Sequence, residues 1–170
     1  MDSYGIFLDY SGRKLRQFSD RIQDCLSRLS DEQIWMRGSD NENAAGNLVL
    51  HLCGNVRQWI ISAIGGQADE RQRDTEFAAR GIPSGALAAQ LRDTVDQSVA
   101  IIDALPPERL AEHIRPQNYD VTVLEAIYHV VEHFSGHTGQ IIFVTKLLTG
   151  QDLGYYRHLA KPSAHPQPTP

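Results

Sequence analysis

The chain has 170 residues and a formal net charge of −5, which is enough length for one domain with a buried core. The acidic balance lacks the basic footprint that nucleic-acid binding requires, and no apolar run reaches the roughly 18–20 residues that span a bilayer. The N-terminus lacks the basic start and apolar middle of a signal peptide, and Cys25 and Cys53 form neither a Cys-x-x-Cys pair nor a disulfide framework, so a reducing cytoplasm is expected.

A first helix is expected from Ile6 or Tyr10 to Leu29. Leu15, Phe18, Ile22, Cys25, Leu26 and Leu29 recur at helical spacings there. Residues 31–43 are polar and turn-rich and read as a loop or a broken helix. A second helix spans Ala45 or Asn47 to Ile64 and stops at Gly65-Gly66. It carries His51, with Asn55 and Trp59 one and two turns further on. These three share a face with Leu48, Leu52 and Ser62, whereas Cys53 points to the opposite side. Residues 67–81 make a long charged connection, of the kind that is often functional or carries a short helix. Ser84 is a candidate N-cap for the third helix, which runs to Leu105 and is ended by Pro106-Pro107.

Residues 110–120 read as another loop, and no alternating segment suggests a strand of useful length. Thr122 and Glu125 make a capping box for the fourth helix, which Gly150 ends. The tail, residues 161–170, contains four prolines and is expected to be disordered. Four long amphipathic helices joined by long connections predict an all-α four-helix bundle over residues 1–160.

The fourth helix carries His129, His133 and His137, each four residues from the last. Each step of four turns the helix by about 40° beyond a full circle, so the three lie on one arc. Ala126, Val130, Val144 and Leu147 share that arc, which directs the imidazoles into the core. Buried imidazoles need partners. A metal ion, a carboxylate or one another could serve. His51 on the facing helix is a fourth inward histidine, whereas His113, His158 and His165 fall in loops or the tail.

Histidines at i and i+4, completed by a ligand from another element, suit a divalent transition metal. Two familiar metal signatures fail. The zinc-protease motif needs Glu directly after its first histidine, and Val130 and Phe134 stand there instead. The di-iron bundle motif needs Glu three residues before a histidine, and Glu125 precedes His129 by four. Asn55 suits either the orientation of a substrate or the burial of a polar helix contact. Gln140 lies near the histidine arc, while Glu132 faces the opposite way. Arg71 and Arg73 suit either an anionic group or surface salt bridges with Asp74 and Glu76. Gly136 and Gly139 allow a close backbone approach by a helix or a ligand.

The segments Gly46-Asn47-Leu48-Val49-Leu50-His51-Leu52-Cys53-Gly54-Asn55-Val56-Arg57-Gln58-Trp59-Ile60 and His133-Phe134-Ser135-Gly136-His137-Thr138-Gly139-Gln140-Ile141 resemble the DinB-like superfamily. So does the stretch from Arg71 to Phe77. The superfamily includes enzymes that transfer low-molecular-weight thiols and YfiT-like metal-dependent hydrolases, and this chain is most similar to a branch without an assigned reaction. The resemblance runs from Leu15 to Gly150 and implies a triad of metal-binding histidines. On the matching positions these are His51, His133 and His137, with zinc or nickel as the ion. His129 then becomes a neighbour in the cavity. With Asn55 and Gln140 it would support the ligands or line a small-molecule substrate site.

Three kinds of function follow. One is a metal-dependent hydrolase or thiol transferase that acts on a small molecule, with a low-molecular-weight thiol as a further cofactor. Another is a metal- or small-molecule-binding stress protein without turnover. The third is a structural bundle, as a homodimer, whose core histidines are hydrogen-bonded.

Overall fold

The computed structural model describes residues 3–160, so the proline-rich segment 161–170 and its expected disorder lie outside the described residues. In chain order the helices are α1 (Ser3–Arg28), α2 (Asp31–Ile34), α3 (Ala45–Val56), α4 (Arg73–Ala78), α5 (Ser84–Asp103) and α6 (Val123–Thr149). The four long ones form an all-α bundle in which α1 and α3 each lie against both α5 and α6. Phe18 of α1 stacks on Phe134 of α6, and Tyr155, just past α6, bonds to Arg21 and Asp24, so α1 and α6 run the same way. Arg16 reaches Asp103 while Arg92 reaches Gln23, so α1 and α5 are antiparallel. The order is up, down, down, up. Parallel neighbours such as α3 and α5 can be joined only by a chain that returns along the bundle, which explains the long connection containing α4.

The core is mainly aliphatic. Leu15, Ile22, Leu26, Leu52, Ile60 and Phe134 are among its fully buried side chains. Cys25 and Cys53 are both buried and free, and burial pushes the Cys53 thiol up to about 12. No described helix is long and apolar enough to cross a membrane.

Several local expectations are corrected. α3 does not continue as a regular helix to Ile64. It widens into a π-turn, Arg57–Ser62, before Gly66 takes a φ of 78° and ends it. The wider turn rotates Ser62 off the His51 face, and its hydroxyl donates to the Ala68 carbonyl instead. Ser84 is not the cap of α5. Pro83 takes that position, and the Ser84 N–H donates to the Asp31 carboxylate at 2.9 Å. This cap comes from another helix, which no local pattern reveals. The loop before α6 holds a minimal antiparallel ladder, β1 (His113–Ile114) with β2 (Val121–Thr122), turned by Gln117 and Asn118 at positive φ. The capping box of Thr122 and Glu125 is present as expected.

Nothing packs within 4 Å of a Cβ position at Gly136 or Gly139, so neither marks a helix contact. The close approaches occur elsewhere: a Cβ at Gly46 would meet the Trp35 ring, and one at Gly54 would strike the Glu76 carboxylate and the Arg71 guanidinium.

Candidate metal centre

The buried stripe of α6 runs through Ile127, Val130, Phe134, Thr138 and Ile141. His129, His133 and His137 are half-buried at its rim, not aimed into the core, and Leu147 on the same arc is 70% exposed. The apolar centre of α6 lies to one side of the histidine arc, and this keeps the imidazoles at the mouth of the bundle. Here α6 meets α3, and His51 closes the gap.

His51 is only 7% exposed. Its Nδ1 lies 2.9 Å from Oε2 of Glu76, on α4. An Arg71 nitrogen also approaches Nδ1, at 3.2 Å, but arginine has only donors to offer. The charged carboxylate is therefore the group that accepts the Nδ1 proton. This fixes the tautomer and leaves the Nε2 lone pair of His51 facing Nε2 of His133 at 3.1 Å. On His137, Nδ1 lies 2.7 Å from the Gln140 amide oxygen one turn on, which leaves its Nε2 free. The ring of His51 stands at 69° to His133 and 88° to His137, and the latter two stand at 85° to each other.

Together His51, His133 and His137 offer three ligand nitrogens within 4.8 Å of one another, a group that could hold a metal ion. The donor chemistry fits. Two imidazoles around an ion with Zn–N distances of about 2.0–2.1 Å stand a little over 3 Å apart at a tetrahedral angle. Ligating histidines commonly donate their other N–H to a carboxylate or a carbonyl, as His51 and His137 do here.

The sequence reading missed Glu76. In a run with Arg71, Arg73, Asp74 and Arg80 it reads as a surface charge. Its side chain is instead 9% exposed, and that of Arg71 is 5% exposed. Arg71 grips it through Nε at 2.7 Å and Nη2 at 3.0 Å, and reaches Gln58 through Nη1 at 2.9 Å. The salt bridge weighed for Arg71 is thus buried, and all three of its nitrogens have partners. Burial works against the charge on Glu76, but the hydrogen bond from His51 and the Arg71 guanidinium outweigh it and hold the carboxyl below its usual range.

Helix α4 is pinned in place from below. Asn47 donates to the carbonyls of Glu76, Phe77 and Ala79, and Arg37 donates to Asn47 and to the Phe77 carbonyl. Gly54, one turn after His51, leaves the space into which the carboxylate fits. A glycine inside an otherwise strong helix was the one sequence signal of this approach. Phe77 packs on His51 at 4.9 Å between ring centres, and the exposed Arg73 lies over Phe77 at 5.0 Å.

His129 lies outside the cluster. Its ring packs on Trp59 at 4.1 Å. Asn55 is buried between the levels of His51 and Trp59. Asn55 Oδ1 and Trp59 Nε1 are buried without a hydrogen-bond partner among the described residues. Both atoms are closed off from the surface, and buried groups of this kind are ordinarily satisfied by ordered water.

Burial, together with the neighbouring histidines and Arg71, pushes His133 down to about 3. Burial lowers His137 as well, against its bond to Gln140. His133 is therefore expected to stay neutral, and an NMR titration of the metal-free protein should show no His133 inflection from about pH 5 to 8. The sign for stability follows. The unfolded histidine, near 6.5, takes up its proton first. The contribution of His133 is complete above that value and is lost as the pH falls toward about 3. An inflection near pH 6.5 would contradict the burial described here.

Solved structures share this fold. A conserved protein from Enterococcus faecalis matches with a TM-score of 0.69 at 13% identity, covering 84% of this chain and 97% of its own. A DinB-like protein, YjoA, from Bacillus subtilis matches at 0.65 and 17% identity, covering 85% and 94%. A DinB-like protein from Bacillus cereus ATCC 10987 matches at 0.63 and 14% identity, covering 77% and 85%. No match is found among curated proteins. The fold is thus DinB-like, and the chain belongs to the family described as "Protein of unknown function (DUF1572)", whose model matches residues 4–163.

Proposed function

We propose that this protein is a divalent-metal-dependent enzyme, a hydrolase or a low-molecular-weight thiol transferase, with His51, His133 and His137 holding zinc or nickel. The observation that carries the proposal is the convergence of three imidazoles, two of which have Nδ1 against an acceptor and Nε2 left over. Three neutral ligands leave the ion its full charge and an open position, and the ion supplies Lewis acidity that lowers the pKa of water or a thiol there.

The chain's own residues would do the rest. Glu76 and Gln140 keep the ligand rings in one tautomer. Asn55, one turn on from His51, would help to orient a small substrate. Arg73, exposed above Phe77, would receive an anionic group at the rim.

A second reading is metal holding without turnover. It is favoured by one fact: Glu76 is committed to Arg71 and His51, and no other carboxylate bonds the three histidines among the described residues. Metal analysis of the purified protein is expected to give one zinc or nickel per chain. The loaded protein can then be assayed with esters, amides and thiol–electrophile pairs. Metal-dependent turnover supports the enzyme, and stoichiometric metal without turnover on any class supports the second reading. A protein that binds neither ion defeats both.

A further inference from the structure

Four large apolar side chains of α6 are exposed, two toward each end of the helix. Leu124, Tyr128, Phe143 and Leu147 are exposed by 37%, 62%, 67% and 70%. Between them lie Glu132, Ser135, Gly136 and Gly139, all exposed, with open space where the glycines would carry a side chain. Exposed apolar pairs near both ends of one helix, with small residues between them, form a candidate contact surface.

We propose that this face joins two copies of the chain, with their α6 helices antiparallel about a two-fold axis between Ser135 and Gly136. In such a contact each residue meets the one equally far beyond the axis, and the relation is reciprocal. Tyr128 then faces the partner's Phe143, while Leu124 and the partner's Leu147, set about 140° apart around the helix, flank the ends of the contact on opposite sides. Glu125 faces the partner's Lys146, which gives two opposite-charge pairs at the ends of the contact. Its carboxylate is already held in place by the Thr122 N–H and hydroxyl, each at 2.7 Å.

Helical periodicity alone makes the exposed positions symmetric. It does not make aromatic meet aromatic and acid meet base. Nor does it place the smallest residues at the crossing, where the axes come closest. From Leu124 to Leu147 the face is about 35 Å long, enough for a standard interface. Its mixed charges, Glu125, Glu132 and Lys146, do not suit an anionic membrane surface, which favours a basic face. None of the three clustered histidines takes part, so the pairing is independent of any metal.

Sedimentation velocity of the full chain, from about 1 to 100 μM, tests this in the range of micromolar dissociation constants. A dimer is expected. Tyr128→Glu and Phe143→Glu, both at exposed positions, should keep the helical signal and weaken the dimer by roughly 30-fold or more, the size of a hot-spot loss. The axis has a separate signature. Ser135→Cys should be linked to its counterpart by a short bismaleimide, because the two copies meet there. Leu124→Cys should not be, because its two copies stand about 35 Å apart. The native cysteines are buried and do not compete. A monomer at every concentration overturns the proposal. So does a dimer that both glutamate variants leave intact, or one that cross-links through Leu124→Cys and not through Ser135→Cys. If a glutamate variant fails to fold, the cross-linking pair still decides.

Discussion

His51→Ala is expected to cost the protein its stoichiometric divalent metal. The argument is geometric. His133 and His137 lie on one helix, and only His51 approaches them from the facing one, with Nε2 at 3.1 Å from that of His133. Without it the site falls to two half-buried ligands from a single helix. Four-ligand structural zinc sites are worth about 10–16 kcal/mol, so one ligand accounts for roughly 3–4 kcal/mol, or on the order of 100- to 1,000-fold in affinity. Competition with a chromogenic chelator would measure the loss for zinc and nickel, and a thermal melt would show that the bundle still folds. His129→Ala supplies the contrast. Its ring stacks on Trp59 and on His133 but offers no ligand nitrogen to the cluster, so metal affinity should change far less. A His51→Ala protein that binds metal as well as the wild type would sink the triad.

The second large effect is expected at Glu76. Glu76→Ala leaves the Arg71 guanidinium, 5% exposed, without its counter-charge. Breaking a buried pair from one side costs about 3–5 kcal/mol. The same change removes the acceptor that fixes the His51 tautomer, a loss worth roughly 10- to 100-fold in metal affinity. Urea denaturation and metal titration read the two effects separately. A double replacement, Glu76→Leu with Arg71→Met, removes both charges. It should recover much of the stability and none of the affinity, because a hydrophobic pair can fill the space but cannot accept the Nδ1 proton.

The pH dependence has a definite sign. The folded carboxyl is held below its usual value, so its contribution to stability is complete above about pH 4.3 and is lost as the pH falls through the folded value. If Glu76→Ala binds metal normally, the carboxylate does not position His51.

Much of the bundle was legible in the chain. The spacing of Leu15, Phe18, Ile22 and Leu26, the stops at Gly66 and Gly150 and the box of Thr122 with Glu125 are local signals, and each stands where local physics puts it. What was illegible depends on distant neighbours. Asp31 caps α5 from across the structure, and the π-turn at Arg57–Ser62 answers to packing that periodicity cannot encode.

The site divides in the same way. Four-residue spacing put His133 and His137 on one side, and a shared motif pointed to His51. Burial of the histidines was overestimated, because apolar neighbours on an arc do not say which neighbour is the centre of the stripe. Glu76 was hidden because a charge in a polar run looks solvated. Only the folded chain shows Asn47 and Arg37 drawing α4 onto Gly54.

The cluster also has a topological consequence. Its nearest nitrogens belong to residues 82 positions apart, on α3 and α6. Neither half of the chain can assemble it, so it cannot exist before the bundle closes. An ion held there would act on the unfolded chain as a covalent tie does, by removing the configurations in which α3 and α6 drift apart. For a loop of this length that restraint is on the order of 4–5 kcal/mol in the chain-entropy description of cross-links. The bundle lacks a disulfide among its described residues, and this would give it a removable one.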